Sequence, residues 1–334
     1  MNDGVILTLA YPETIVSHAE EWYSKFMRFV FIGNRKHVRA GHAALVLIDK
    51  STSVLEYHDF GRYITPSPNG RVRGKETDFE LRFPISAEIK DNTIQNLDEI
   101  LKFLATHPKL THGDGTMYAS VCNAIDYSKA RTHITSMQNR GFIRYAAFVK
   151  DASNCARFVT DTLIACITND VVKSKLKSSK SFTPSTIGNV VVSDTENFVY
   201  AVSQSGEISE FQSTVSRENR RMFLDVLKGY NPSIAGTLEP KHNDEKADHG
   251  QWLSGIAAGA WFEIYDLGCH IEYRYRRISP CGNVDCDALF RITSEGFDLN
   301  SNYQFVHYSN CEFFQIMQNG ITFRFEYLKD FELN

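Results

Sequence analysis

Residues 41–49 have the sequence Gly41-His-Ala-Ala-Leu-Val-Leu-Ile-Asp49, in which an unbroken apolar run follows a histidine. A strand that is apolar on both faces is normally buried on both sides of a sheet, so this run predicts a central strand. Lys50-Ser-Thr-Ser53 then forms a turn, and Val54-Leu-Glu-Tyr-His-Asp-Phe60 returns as a second strand. The two runs together predict a β-hairpin in the N-terminal half of the chain.

A second stretch, Asp151-Ala-Ser-Asn-Cys155, predicts the start of a helix with a cysteine in its first turn. Asp, Ser and Asn side chains accept hydrogen bonds from the N–H groups that the first helical turn leaves unpaired. A helix N-terminus and a neighbouring imidazolium both lower the pKa of a thiol, and the thiolate is the nucleophile. Cys155 is therefore the candidate nucleophile, whereas Cys166 lies late in the same helix and Cys122 lies in an apolar run.

The hairpin offers a partner for this cysteine. His42 stands at the start of the most apolar strand, where a rigid backbone can hold an imidazole against a helix N-terminus packed on the sheet. A third polar group has to orient that imidazole through its other ring nitrogen. His58 and Asp59 lie at the end of the returning strand, beside the start of the first. Adjacent strand residues face opposite ways, so one of the two is the orienting group, and we favour Asp59 because a carboxylate also stabilises the imidazolium.

Together, residues 41–49 and the downstream sequence Asn154-Cys-Ala-Arg-Phe-Val159 resemble the circularly permuted branch of the NlpC-type, papain-like superfamily, to which lecithin retinol acyltransferase belongs. The resemblance covers about residues 40–166. It implies a papain-like domain in which an antiparallel sheet packs on helices, with His42 as general base and Cys155 as nucleophile. Asp59 or His58 would be the orienting residue.

The chain departs from this branch in its longer hairpin and in the loop that follows it, which leaves the third residue open. With Asp59-Phe-Gly-Arg-Tyr63 and Trp252-Leu-Ser-Gly-Ile-Ala-Ala-Gly-Ala-Trp-Phe262, the whole chain also resembles bacterial proteins of unknown function. That second resemblance implies no substrate.

The loop after the hairpin is rich in Gly, Pro and Arg and spans residues 61–78. Loops of this length in compact domains are usually functional or disordered, and the aromatic and apolar residues here argue against disorder. We expect the loop to border the substrate cleft and bind an anionic group, through Arg62, Tyr63, Arg71 and Arg73. The alternative is a solvated loop whose cations pair with Asp59 and Asp78. Asp78-Phe-Glu-Leu-Arg-Phe83 alternates and predicts a third strand.

The composition sets the class of protein. The 334 residues are 43% hydrophobic and 23% charged with a net charge of −4, so we expect two globular domains and no nucleic-acid partner. The sequence contains no apolar run long enough for a membrane span and no pattern of a signal peptide, which predicts a cytoplasmic protein without a membrane partner. The seven scattered cysteines predict free thiols.

The predicted fold class is α+β, with a papain-like domain over residues 1–176 and a β-rich domain of unknown role over residues 182–334. A polar, basic run, Ser174-Lys-Leu-Lys-Ser-Ser-Lys-Ser181, marks the expected boundary. The second half has one helix pattern over residues 216–229, with short alternating runs at residues 189–192, 198–202, 272–277, 305–308 and 321–327. Cys281 and Cys286 have no second close pair, so we expect no zinc site and no cofactor.

These observations predict a cysteine-dependent peptidase or amidase that acts on a small-molecule or peptide substrate. An acyltransferase would use the same acyl-enzyme. A binding or scaffold protein that kept the fold but lost catalysis is the alternative from another class, and its mark would be a wide separation between Cys155 and His42. The sequence predicts no oligomeric state.

Overall fold

The computed structural model describes residues 2–18, 33–34, 37–181, 183–230, 238–240, 243–269 and 271–332. The chain divides into two compact units. The first comprises residues 1–61 and 83–231, and the second comprises residues 62–82 and 232–334. The second unit is therefore built from two separate stretches of sequence.

The strands of the described residues, in chain order, are β1 (Gly4–Tyr11), β2 (Ile15–Ser17), β3 (His37–Arg39), β4 (His42–Asp49), β5 (Leu55–Gly61), β6 (Asn69–Arg73), β7 (Ile89–Lys90), β8 (Thr93–Ile94), β9 (Met117–Ile125), β10 (Ile143–Arg144), β11 (Tyr200–Val202), β12 (Ile208–Glu210), β13 (Gln251–Leu253), β14 (Ala260–Asp266), β15 (Glu272–Ile278), β16 (Val284–Ile292), β17 (Gln304–Phe305), β18 (Phe313–Gln318) and β19 (Ile321–Asp330). The helices are α1 (Leu97–Thr106), α2 (Pro108–Thr111), α3 (Tyr127–Asn139), α4 (Cys155–Cys166), α5 (Asp170–Ser179), α6 (Thr186–Ser193) and α7 (Val215–Phe223). A 3-10 turn spans Phe79–Leu81. The α+β class predicted from the sequence is confirmed.

Strands of the first unit pair antiparallel in the order β5-β4-β1-β9-β11-β12. Every residue of β1 is buried, as are the first seven residues of β4, which explains their apolar character on both faces. Helix α4 packs against β4 and β5, and α6 packs against β1 and β9. The hairpin predicted over residues 43–60 is confirmed by the pairing of β4 with β5.

A buried polar contact fixes α4 relative to α6. The hydroxyl of Thr160 donates to the side-chain oxygen of Asn189 at 2.7 Å, and the amide of Asn189 donates to the carbonyl of Ala156 at 2.8 Å. Both side chains are buried, so each polar atom needs such a partner. The contact holds the first turns of α4 in place, where Cys155 lies.

Strands of the second unit form one antiparallel sheet in the order β13-β14-β15-β16-β19-β18-β17. Its core is dense in aromatic side chains, including Phe262, Tyr275, Phe290, Phe305, Phe314 and Phe325. Edge-to-face and offset-stacked ring pairs of this kind add stability beyond the area that they bury. The predicted β-rich character of the C-terminal half is thus present in residues 250–330.

Residues 62–82 belong to this second unit through buried ion pairs. Arg277, which is wholly buried on β15, lies 3.1 Å from Asp78 and 2.6 Å from Glu80. Arg71 forms a two-bonded pair with Asp78 at 2.6 and 2.7 Å. The alternation in residues 78–83 that predicted a strand arises from these paired charges, and the strand prediction was wrong.

The division into units differs from the boundary expected at residues 177–181. The basic run forms the end of α5, in which Val172 and Leu176 are buried four residues apart while the lysines lie on the other side. Residues 183–230 remain with the first unit. The alternating sequence at residues 189–192 indicated a strand, and these residues lie in a helix instead. The side chain of Ser185 accepts the N–H of Gly188 at 2.9 Å, and α6 begins there.

None of the helices in the described part of the chain has the length and apolar character needed to cross a membrane.

Candidate active site

Cys155 is the first residue of α4, as the sequence predicted. The side chain of Asn154 accepts the N–H of Arg157 at 2.9 Å and so caps the helix. Arg157 in turn donates to the carbonyls of Ala147 and Val149 at 3.2 and 3.0 Å, which fixes the chain that leads into the helix. The thiol of Cys155 therefore lies at the positive end of a capped helix, where a thiolate is stabilised.

His42 is the first residue of β4 and is buried, with 6% of its surface exposed. Gly41 precedes it with a φ of +73°, a conformation that side-chain-bearing residues rarely adopt. A Cβ at Gly41 would lie 3.0 Å from the Cα of Pro12 and 3.1 Å from the hydroxyl of Thr186. The glycine lets the chain turn into β4 against its neighbours.

Asp59 lies on β5 opposite Ala44, close to the start of β4. Its Oδ2 atom is 3.0 Å from the Nε2 atom of His42, and its side chain is wholly buried. The hydroxyl of Tyr57, on the same face two residues earlier, is 3.3 Å from the same oxygen. Because Nε2 is engaged by Asp59, Nδ1 is the ring nitrogen left to face the thiol.

His58 points to the opposite face of β5, as strand alternation requires. Its Nε2 atom lies 3.8 Å from Glu56, and Glu56 lies 3.0 Å from Arg131 on α3. Of the two residues that the sequence offered as the orienting group, the structure brings Asp59 to His42 and places His58 in this second polar cluster.

The electrostatics of the site favour a charged pair. Burial alone lowers the pKa of His42, yet the hydrogen bond with Asp59 and the interactions with Cys155 outweigh it and raise that pKa to about 9. Burial alone raises the pKa of Cys155, yet His42, the N–H of Ala43 and the hydroxyl of Tyr145 bring it below its ordinary value. In Cys122 and Cys166 burial dominates and raises the pKa to about 12.

Three tyrosines near the site were not predicted. Tyr57 could have been found from the period of two that places it on the face of Asp59. The ring of Tyr11 is stacked on that of His42 with centroids 6.3 Å apart, a neighbour that follows from the pairing of these two residues across β1 and β4. Tyr145, whose hydroxyl is 4.0 Å from the sulfur of Cys155, gives no sequence signal, because its loop is placed by tertiary contacts.

The predicted substrate-binding residues of the loop all lie in the second unit, where each is buried. Arg71 donates to the carbonyl of Tyr63 at 2.9 Å in addition to its pair with Asp78. The guanidinium of Arg73 lies 4.0 Å from the centre of the Tyr63 ring, and Arg62 is 5% exposed. The pair of Arg71 with Asp78 agrees with the alternative, but the arginines are buried and the loop is not solvated as that alternative expected. Binding of an anionic substrate stays a prediction.

All seven cysteines are free thiols, of which Cys269 and Cys281 are exposed. Within the described ranges, no group of three or more His, Cys, Asp or Glu side chains is arranged to hold a metal ion. The side chains that meet at this site are a thiol, an imidazole and a carboxylate.

Comparison with known proteins adds a family. Residues 6–172, which contain Cys155, His42 and Asp59, match the family model described as type VI secretion system effector TseH-like. Residues 250–328 match the model of the DUF6695 C-terminal domain. The chain is also similar to the crystal structure of the type VI secretion system effector TseH, at 18% identity and a TM-score of 0.41, over 63% of this chain and 99% of that one. The search of curated proteins gave no match.

Proposed function

We propose that this chain, which belongs to the type VI secretion system effector TseH-like family, is a cysteine hydrolase of the peptidase or amidase kind. The observation that carries the proposal is the contact of Cys155 with His42, whose far nitrogen lies 3.0 Å from Asp59. A capped helix start that presents a thiol to a histidine on an antiparallel sheet also supports the permuted papain-like fold of the resemblance.

The reaction has two halves, acylation of Cys155 and hydrolysis of the thioester, and the Cys155–His42 pair acts in both. The thiolate of Cys155 attacks the carbonyl carbon of an amide, and the π electron pair moves to the oxygen. When the intermediate collapses, the carbon–nitrogen bond breaks and the imidazolium of His42 gives its proton to the leaving amine. Water then attacks the thioester while His42 accepts its proton, and the acid product leaves the thiolate restored. Asp59 stabilises the imidazolium and holds the ring in position throughout.

Two alternatives, an inactive scaffold and an acyltransferase, differ from this proposal in the chemistry that they predict. The mark of an inactive scaffold would be a wide separation between the thiol and the imidazole, and the interaction of Cys155 with His42 supports the enzyme instead. An acyltransferase would pass the acyl group of the same thioester to an alcohol or amine instead of water. Hydrolysis in heavy-oxygen water puts the label in the acid product, and transfer does not.

Family membership bears on where the substrate is. A secreted effector acts outside the cell that makes it, so we propose that the substrate is met after delivery, in place of the cytoplasmic location expected from the sequence. The family match supports delivery by a type VI secretion system.

The test compares wild type with Cys155→Ser. Each protein is incubated with a bacterial lysate and with a peptide mixture prepared from it, and newly exposed amino groups are labelled and identified by mass spectrometry. We expect new amines with the wild type alone, and intact mass should show a transient acyl adduct on Cys155. Identical product sets from the two proteins would overturn the proposal.

A further inference from the structure

The hydroxyl of Tyr57 lies between two acceptors in the interior of the first unit. It is 3.3 Å from the Oδ2 atom of Asp59 and 3.1 Å from the backbone carbonyl of Thr111, the last residue of α2. Oδ2 is also the atom that lies 3.0 Å from the Nε2 atom of His42. A role for this hydroxyl in the proton transfers of His42 rests on the proposed function.

The ring of Tyr57 is fixed, while its hydroxyl proton can turn. Tyr57 and Asp59 are wholly buried and lie two residues apart on one face of β5. The ring packs against that of Phe83, with centroids 5.6 Å apart and planes inclined by 53°. Rotation about the bond between the ring and the hydroxyl oxygen redirects the proton and moves no heavy atom. The single proton of the phenol can therefore be donated to either acceptor.

The charge of the Asp59–His42 pair decides which acceptor is favoured. While His42 is an imidazolium, its positive charge balances the carboxylate, and the carbonyl of Thr111 is the nearer acceptor. Once the ring has lost its Nδ1 proton, Nε2 still donates to Asp59 but no longer balances its charge. A buried carboxylate without a counter-charge is costly, and a hydrogen bond to an ionised acceptor is about twice as strong as a neutral one. The hydroxyl therefore stabilises the neutral ring more than the imidazolium.

Other titratable groups face this pair from the elements packed around it. Cys155 at the start of α4 favours the imidazolium. Asp114, in the segment after α2, also interacts with the positive charge of His42. Tyr11 on β1 is stacked on the His42 ring and stays a neutral phenol, because burial raises its pKa. Cys155 and Asp114 thus both act to keep the proton on His42, and Tyr57 is placed to act in the opposite direction.

We propose that Tyr57 is a positioning residue whose hydroxyl turns from the carbonyl of Thr111 to Oδ2 of Asp59 as His42 gives up its Nδ1 proton. That proton passes to the leaving amine as the carbon–nitrogen bond breaks, while the phenol proton stays bonded to its own oxygen. The neutral ring then accepts a proton from the attacking water, and the hydroxyl turns back. By stabilising the neutral ring, Tyr57 assists both the release of the proton and the use of His42 as the base in thioester hydrolysis.

The test measures how tightly His42 holds its proton and does not require turnover. It uses the full chain with Cys155→Ser, where no thiolate faces the ring. NMR titration follows the ring of His42, assigned with His42→Gln, in this background alone and in combination with Tyr57→Phe. The control combination carries Tyr127→Phe, which removes a phenol hydroxyl 3.4 Å from Glu56. Glu56 faces the other side of β5 from Asp59, so this control removes the same group from a different carboxylate.

We expect Tyr57→Phe to move the midpoint of the His42 titration upward by about 0.5–1 pH unit, which corresponds to one hydrogen bond of ordinary net strength. Tyr127→Phe should leave the midpoint unchanged. Replacing Tyr57 with 3-fluorotyrosine, whose more acidic hydroxyl is a stronger donor, should move it downward. A merely structural role predicts the reverse for Tyr57→Phe, because a carboxylate that drifts away from the ring would lower the midpoint.

An unchanged or lower midpoint in Tyr57→Phe would overturn the inference. If that variant does not fold, the 3-fluorotyrosine protein decides, and an unchanged or higher midpoint there would overturn it equally. The proposed function is tested separately by the products of wild type and Cys155→Ser. If those products are identical, the reaction step assigned to Tyr57 fails with the proposed function, whereas its effect on the charge of His42 is still read from the titration.

Discussion

The Oδ2 atom of Asp59 lies 3.0 Å from the Nε2 atom of His42, across the buried pair of strands β4 and β5. A carboxylate so placed favours the imidazolium over the neutral ring, and it does so where burial alone would favour the neutral ring. The contact of Asp59 with His42 therefore stabilises an imidazolium next to the thiol of Cys155, whose pKa is lowered.

Replacing Asp59 with Asn should lower the pKa of His42 from its value of about 9, because the amide keeps the shape but removes the charge. NMR titration of the His42 ring, assigned with His42→Gln, measures the shift. Loss of the orienting carboxylate should also reduce turnover by about 10²-fold or more. An unchanged His42 titration in Asp59→Asn would show that the carboxylate does not set the charge of the ring.

The reactivity of Cys155 should depend on its ion pair with His42. Since the pKa of this thiol is below its ordinary value, alkylation of Cys155 by iodoacetamide should continue as the pH falls to neutral. In His42→Ala, burial dominates and raises the pKa, so the rate at neutral pH should drop by about 10-fold or more. The exposed Cys269 and Cys281 serve as internal controls in every sample.

For amide turnover the same pair predicts a bell-shaped pH profile. Activity needs the thiolate, which is lost at low pH, and the imidazolium, which is lost as the pH rises through about 9. The descending limb should move to lower pH in Asp59→Asn, where the imidazolium is less stable. A profile that still rises well beyond the pKa of His42 would contradict the role of that imidazolium in protonating the leaving amine.

Replacing Gly41 with Ala should destabilise the first unit by about 1–3 kcal/mol or more, from backbone strain and crowding together. The φ of +73° is costly for any side chain, and the added Cβ would meet Pro12 at 3.0 Å. Gly229→Ala is the matched control, because its φ is +74° and a Cβ there meets nothing within 4 Å. Urea unfolding measures both variants, and equal losses would show that crowding beside His42 costs nothing.

Replacing Arg277 with Met should destabilise the second unit by about 3 kcal/mol, because it removes one of the two cations that bind the buried Asp78 and also the nearest cation of the half-buried Glu80. Arg291→Met is the control, since its pair with Glu272 is largely exposed and such pairs contribute about 0–1 kcal/mol. Unfolding followed by the fluorescence of Trp252 and Trp261 reports on this unit in a Trp22→Phe background, where no other tryptophan contributes. Similar losses from the two variants would refute a structural role for the buried pair.

Local sequence determined the elements of the site. The apolar run after His42 has no polar face to expose to water, which dictates a central strand, and the side chains before Cys155 dictate a helix start. Alternation along β5 also determined that His58 and Asp59 face opposite ways, because the side-chain period of a strand is two.

Tertiary structure decided which of these side chains meet. The choice of Asp59 over His58 follows from the register that sets Ala44 opposite Asp59, because His42 lies two residues before Ala44 on the same face of β4. Tyr145 lies near Cys155 because its loop is fixed by contacts with Ser153 and Phe60. No local sequence pattern predicts these contacts. The arginines of residues 62–82 looked like a basic loop in sequence, but Arg71 pairs with Asp78 within the segment, and Asp78 also accepts from Arg277 of β15, 199 positions away along the chain. Local patterns record which backbone conformation a segment prefers and which face it buries, whereas pairing across long sequence separations depends on how the whole core packs.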